Sequence, residues 1–201
     1  MADDAIECEV ESQADVLDED RTLVRGAARQ DSEATGRLYD KYYGPVFGYI
    51  YHCTLDRTTT EDLTSNVFLA AFRHLRRYRW QQVPFQAWLF RIATNEVRTY
   101  YRRRKCARTA RRQLEQNSMT DSGPSADASP VAMEQYRIVH EALLELRSKY
   151  RTVIILRYFE DKTIAEITDI TGQREGTVKS QLHRGLARLQ EILAKRGVLP
   201  E

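Results

Sequence analysis

Apolar residues in this chain return every three or four positions, and no stretch alternates convincingly between apolar and polar, so helices are the elements it can build. Leu38, Tyr42, Val46 and Ile50 share one helical face, as do Leu63, Val67, Ala71 and Leu75, and again Phe85, Trp88, Leu89 and Ile92. Further on, Tyr136, Val139, Leu143 and Leu146 form another stripe. Val153 to Phe159 is apolar nearly all round, as a helix at the centre of a domain must be. Only five prolines and nine glycines interrupt 201 residues, too few to break these periods into short strands.

Punctuation along the chain sets the element ends. Asp31 and Ser32 offer caps to the first long helix, which Gly44-Pro45 is expected to kink or split. Thr59 or Thr60 can cap the next, with Glu61 and Asp62 near its positive end. Pro84 suits the first turn of a third helix running to about Lys105. Residues 116–130 then lose apolar periodicity in the run Asp-Ser-Gly-Pro-Ser-Ala-Asp-Ala-Ser-Pro, which reads as a flexible linker. The expected fold class is all-α: two small helical domains, 21–112 and 134–201, joined by a linker over 113–133.

The second domain ends in a recognisable unit. Ile164, Ala165, Ile167 and Ile170 mark a short helix that stops at Thr171-Gly172, and a longer helix runs from Glu175 to about Ala194. Helix, tight glycine turn and helix make a helix-turn-helix. At about 100° per residue, Val178, Leu182, Leu186, Leu189 and Leu193 fall in one stripe that should face the core. The opposite side carries Gly176, Thr177, Ser180, His183, Arg184, Ala187 and Arg188. Small, hydrogen-bonding and cationic groups without a large aliphatic suit a major groove, although an ordinary solvated face has a similar pattern.

A net charge of +2 conceals a separation of sign along the chain. Residues 1–20 hold nine acids and no base, so a disordered acidic tail is expected there. From Arg73 to Arg112 there are thirteen basic residues against the single acid Glu96, which points to a polyanionic partner. The charge is also organised. Arg91, Thr94, Asn95, Arg98, Tyr101, Arg102 and Lys105 recur at helical intervals opposite the apolar stripe. Just before that helix, Arg76-Arg77-Tyr78-Arg79-Trp80 interleaves cations with aromatics, a combination that can grip phosphates while stacking unpaired bases. Trp80 fits a stacking platform or a core position equally well, whereas the spacing of Trp88 from Phe85 and Ile92 places it in the core.

Other chemistry finds little support. Cys8, Cys53 and Cys106 lie far apart with no C-x-x-C pair, as expected of free thiols in a reducing cytosol, and His52 reads as packing or surface. With no basic leader before an apolar stretch and no window near the roughly 20 apolar residues of a membrane span, a soluble cytoplasmic protein is expected. A nucleic-acid-processing enzyme would need clustered carboxylates beside the basic surface, and Glu96 alone cannot supply them. A free-standing helix-turn-helix repressor or activator explains Gly176 to Arg188 but leaves the first domain without a role.

Taken together, these residues resemble a family. Glu61-Asp62-Leu63-Thr64 with Val67-Phe68, then Phe85-Gln86-Ala87-Trp88-Leu89-Phe90-Arg91-Ile92-Ala93 followed by Asn95 and Arg102-Arg103-Arg104, is similar to the core-binding and promoter-melting domain of extracytoplasmic-function sigma factors. Leu146 to Arg157, Glu166-Ile167, Gly176-Thr177-Val178-Lys179-Ser180 and Leu182-His183-Arg184 resemble the minus-35-reading domain of the same family. The resemblance spans about Leu23 to Leu193, apart from the linker, with both domains in the family's order.

What the resemblance implies is an alternative sigma factor, a non-catalytic specificity subunit that needs no cofactor of its own. Its implied partners are core RNA polymerase, through the β and β′ subunits, promoter DNA, and the anti-sigma factor that such proteins often have. Polymerase binding falls by analogy on Glu61, Asp62, Thr64, Asn66 and Arg73. Minus-10 capture and melting fall on Arg76, Arg77, Tyr78, Arg79, Trp80, Arg91, Asn95, Arg98, Arg102 and Arg103. Minus-35 reading falls on Arg174, Thr177, Lys179, Ser180, Gln181, His183, Arg184 and Arg188. Three positions depart from the family pattern: Asn66 for a usual acid, Thr99 for a common aspartate and Gln181 for a common arginine. Such departures bear on polymerase affinity and promoter choice.

Overall fold

The computed structural model describes the backbone of residues 18–78, 83–114 and 130–198, with side chains except in 107–114 and 130–135. Among these residues every regular element is helical. Helix α1 covers 18–28, α2 Ser32–Thr54, α3 Arg57–His74 and α4 Phe85–Leu114, with a single 3-10 turn at Leu75–Arg77 after α3. The second group is α5 Pro130–Glu145, α6 Ser148–Tyr158, α7 Ile164–Thr171 and α8 Glu175–Lys195.

Local chemistry explains most of these limits. The Asp31 carboxylate accepts from the Glu33 and Ala34 amides and so starts α2, as its position before the apolar period implies. Expectation and structure part at Pro45. The helix is not split there but continues from Ser32 to Thr54, because Gly44 and Pro45 lie on its exposed side, where a freed carbonyl keeps access to solvent. Helix α3 starts a little before the threonines expected to cap it: Asp56 is the cap, accepting from the Thr59 amide at 2.7 Å. Thr59, through its side chain first and its amide second, holds the Asp56 carboxyl below its usual pKa. Helix α4 extends past Lys105 to Leu114, and α5 already begins at Pro130, so both ends of the expected linker are helical.

Charge alone assigned Asp18, Glu19 and Asp20 to the tail, yet they belong to α1. Asp20 is buried and accepts a hydrogen bond from the Tyr42 hydroxyl. Glu19 pairs with Arg37 and Lys41 at 2.9 and 2.8 Å. Leu23 and Val24 close the end of the first core. The rest of the expected tail, residues 1–17, lies outside the described residues.

In the first bundle, α2 contributes Leu38, Val46, Tyr49 and Ile50, α3 Val67 and Ala71, and α4 Phe85, Leu89, Phe90 and Ala93. The second bundle is built around α6, whose residues 151–156 are all buried. Helix α8 comes so close to α6 at Gly185 that an added Cβ would meet Ile154 Cδ1 at 2.9 Å and Tyr150 Cβ at 3.1 Å. The two bundles are packed together. Helix α7 lies on α4, α6 and α5 lie on α2, and one apolar cluster runs through both groups.

Candidate nucleic-acid interface

Helix α7 is only eight residues, too short to persist unless its ends are held. Thr163 and Glu166 hold its start by a reciprocal capping box, while Gly172, at φ 67°, supplies the left-handed turn that an L-residue adopts only at a cost. Buried Ile167 and Ile170 seat it on the core, and the chain re-enters α8 three residues later with Arg174 at the N-cap. The turn thus aims α8.

On α8 the buried side consists of Val178, Leu182, Gly185 and Leu193, with Leu189 half-buried. Leu186, expected in the stripe, is 38% exposed. The reason is the close approach at Gly185, which turns the contact line toward that residue and leaves Leu186 at its edge. The outward face otherwise stands as expected. Gly176, Thr177, His183, Arg184, Ala187 and Arg188 are exposed and Ser180 half-buried. Lys179 pairs with Glu175 at 2.6 Å and Arg188 with Glu191 at 2.9 Å, both on the surface. Such pairs are worth at most about 1 kcal/mol, so either cation can turn to a phosphate at little cost. Gln181 departs from the expected set: its Oε1 is buried, with no hydrogen-bond partner among the described residues, so it faces inward rather than toward a groove.

Helix α4 carries its cations less freely than its periodicity suggests. Asn95, Arg102 and Arg103 are exposed and Arg98 half-buried. Thr94, placed on the polar face by spacing, is buried and shares a 3.0 Å hydrogen bond with the Tyr49 hydroxyl of α2. Tyr101 donates to the Cys53 carbonyl at 2.7 Å, and the Arg151 guanidinium of α6 lies over its ring at 4.2 Å. Arg91 is half-buried against α7, where its guanidinium donates to the carbonyls of Asp169 and Ile170. A four-helix count of apolar positions cannot foresee this, because the partner of Arg91 lies in the other domain.

Ahead of α4, Arg76 and Arg77 are exposed in the 3-10 turn. Tyr78 donates to the Val83 carbonyl at 2.5 Å and packs on Phe85 and Trp88. Trp88 is packed against the core, as its spacing implied. Arg79 and Trp80 lie outside the described residues.

On α3, Glu61, Asp62, Asn66 and Arg73 are exposed. Thr64, grouped with them by resemblance, is fully buried, so it supports the bundle and touches no partner. Sequence reasoning missed Leu69, which is 53% exposed. Its signal was legible: Asp62, Asn66, Leu69 and Arg73 recur at four-, three- and four-residue steps, placing a leucine in the polar register. Also missed was the partner of His52, whose Nδ1 lies 3.0 Å from His140 Nε2 and 2.9 Å from the Tyr136 hydroxyl. Cys53 is a buried free thiol, pushed up to about 12 by burial, and Cys106 is an exposed one. Among the described residues no helix is long and apolar enough to cross a membrane.

Known proteins match this arrangement domain by domain. Residues 38–106 match the family model of Sigma-70 region 2, and residues 136–189 match that of Sigma-70, region 4. The chain is 30% identical to the ECF RNA polymerase sigma factor BldN of Streptomyces coelicolor, over 85% of this chain and 64% of BldN. It is 28% identical to the ECF RNA polymerase sigma factor SigW of Bacillus subtilis, over 85% of this chain and 94% of SigW. Among solved structures, CnrH in complex with the cytosolic domain of CnrY shares the fold at TM-score 0.66 and 24% identity, covering 88% of this chain and 98% of that one. The sigma factor RpoE of Bartonella quintana, bound to the anti-sigma factor NepR, shares it at TM-score 0.61 and 21% identity, over 79% and 96%. With regions 2 and 4 in order, on two helical bundles of which the second presents a helix-turn-helix, this chain belongs to the extracytoplasmic-function (ECF) family of RNA polymerase sigma factors.

Proposed function

We infer that this chain is an alternative sigma factor: it binds core RNA polymerase, recognises the minus-35 and minus-10 elements of a promoter, and promotes the strand opening that starts transcription. The observation that carries this reading is the outward face of α8, where Thr177, His183, Arg184 and Arg188 stand exposed on the second helix of a helix-turn-helix. A major groove admits such a helix, and these side chains can hydrogen-bond base edges or phosphates. Arg174 and Lys179 flank that face.

The second DNA surface is the exposed basic side of α4, with Asn95, Arg98, Arg102 and Arg103, joined by Arg76 and Arg77 of the preceding turn. Cations there can hold the backbone of an opening strand. The exposed α3 face of Asp62, Asn66, Leu69 and Arg73, with Glu61 beside it, suits the polymerase, since an apolar centre ringed by charges is the usual anatomy of a protein interface. The protein would therefore act in the cytoplasm, where polymerase and chromosome are, and an anti-sigma factor is a partner in keeping with the family. Catalysis stays with the polymerase.

Run-off transcription with core polymerase and this protein tests the reading directly. Initiation at selected promoters, without ATP-driven remodelling, is the expected result. Tight promoter-specific binding by the isolated protein, with no initiation on adding core polymerase, would instead identify a free-standing repressor or activator. Asp62→Lys separates the surfaces: it should weaken core association and leave DNA binding by the free protein intact.

A further inference from the structure

We propose that α1 is a further DNA-contacting element, on which Arg21, Arg25 and Arg29 grip phosphates of the opened strand beside the minus-10 element. The proposal rests on the promoter-reading function above. Its first support is the state of these three cations. All are exposed, and among the described residues the side chain of none makes an ion pair or a hydrogen bond. The acids around them are already engaged: Glu19 holds Arg37 and Lys41, Asp20 is taken by Lys41 and Tyr42, and the Asp31 carboxylate accepts from the Glu33 and Ala34 amides. Elsewhere the chain pairs surface cations with acids three or four residues away, as at Arg57, Arg137, Lys179 and Arg188. Arg102, Arg103 and Arg184, exposed on the two proposed DNA surfaces, lack an ion-pair partner in the same way. Like charges four residues apart destabilise a helix, so nothing within α1 accounts for the row.

Position gives the second support. Asp20, Leu23 and Val24 are buried, which seats one side of α1 on the first bundle and leaves the arginine side outward. Asp20 accepts from the Tyr42 hydroxyl, the Tyr42 ring lies 5.3 Å from that of Phe85, and the Phe85 ring lies 5.8 Å from that of Tyr78. Phe85 opens α4, and Tyr78 follows the turn that carries Arg76 and Arg77. Helix α1 is therefore joined, ring by ring, to the root of the proposed minus-10 surface.

The chemistry of the row gives the third. All three cations are arginines, whose planar guanidinium offers a fork of donors that fits two phosphate oxygens and is more weakly hydrated than an ammonium. Positions four apart on a helix climb about 6 Å per step, so each guanidinium can take its own phosphate. Residues 18–28 include no aromatic ring to stack a base. The contact follows the backbone and is blind to sequence.

The test uses the full chain with core polymerase on a fork-junction probe, duplex at minus-35 and single-stranded from minus-10 onward, with affinity followed against salt. Arg21→Gln, Arg25→Gln and Arg29→Gln together should weaken binding to all promoters alike and lower the salt slope by about two, because each phosphate contact on a single strand contributes about 0.7. The gap from wild type should then narrow about sixteenfold between about 50 and about 200 mM salt. Arg37→Gln, Arg57→Gln and Arg196→Gln together remove the same charge from cations that are already paired, and should leave the slope unchanged. An equal fall in both triple variants reports net charge alone and overturns the proposal. Replacing Arg21, Arg25 and Arg29 with lysine should keep the wild-type slope; a lysine variant with the slope of the glutamine variant also overturns it. Neutral methylphosphonate linkages, placed one at a time along the single strand, should weaken the wild type at about three positions, one per arginine, and leave the glutamine variant unaffected there. If no position behaves so, or if the glutamine variant loses affinity for core polymerase itself, the row does not hold DNA. Absence of initiation by the unaltered protein overturns the function on which the proposal rests.

Discussion

The side chains proposed to read or grip DNA differ mainly in what already holds them. Lys179 and Arg188 have acidic neighbours on their own helix, at Glu175 and Glu191, so both are kept near the surface as mobile charges. Arg184 sits between them, exposed on the outward face. Arg184→Ala should weaken minus-35 binding by about 1–3 kcal/mol and flatten the preference at one base pair, as loss of a bidentate base contact does. Titrating a set of duplexes, each with one altered base pair, measures both effects. A loss shared equally by all duplexes would assign Arg184 to phosphate instead. Gln181, three residues before Arg184, should show no such base preference, because its amide oxygen is buried.

Single elements here owe their existence to their ends more than to their length. Helix α7 is the extreme case: eight residues, fastened by a Thr163 amide donating to Glu166 at 2.8 Å and a Glu166 amide donating to Thr163 Oγ1 at 3.2 Å. Thr163→Ala removes one acceptor and should cost about 1 kcal/mol. In a domain of this size that corresponds to a fall of roughly 4–8 °C in Tm, read by circular dichroism. Because α7 sets the aim of α8, minus-35 binding should decline at temperatures below the unfolding midpoint, while Thr163→Ser should restore both. An unaltered midpoint would mean that Ile167 and Ile170 alone seat the helix.

For the molecule as a whole, the packing of the two bundles on one another is coupled to protons. Burial and the neighbouring His140 ring push His52 down to about 4 from the usual 6.5, and burial also lowers His140. Both are depressed, so their support for this packing is complete above about pH 6.5 and is lost as pH falls toward 4. Glu160, between α6 and α2, acts in the opposite sense. Burial raises it to about 7 from 4.5, with Asp161 adding to the shift and Lys162 opposing it. A raised carboxyl favours that packing below about 4.5 and penalises it as pH rises through about 7. The groups facing this interface therefore include Arg151 and Lys162 as fixed cations, with the histidines and Glu160 as the ones that titrate. Glu160→Gln should hold the two bundles together more firmly at about pH 7.5 and leave their loosening on acidification to the histidines alone. Energy transfer between a label on each bundle, followed from about pH 7.5 to 5.5, reports it. A variant with the wild-type profile would show that Glu160 is not coupled to this contact.

Much of this was legible in one dimension. Helical periods, the glycine at 172, the acid at 31 and the basic run before residue 112 specify local states, because capping, turn geometry and amphipathic spacing depend on neighbours a few residues apart. The outward face of α8 was readable for the same reason. Distance in sequence hid the rest. Whether α8 leans on its leucines or on Gly185 depends on how close α6 approaches, and α6 lies some thirty residues away. That Thr64 and Thr94 turn inward follows from which neighbouring helix meets each face, since a threonine suits either side of a helix boundary. The engagement of Arg91 with α7 and of His52 with His140 was decided only by tertiary structure: each pair unites residues more than 75 positions apart, and a periodic pattern records that a face is polar but not what that face will meet.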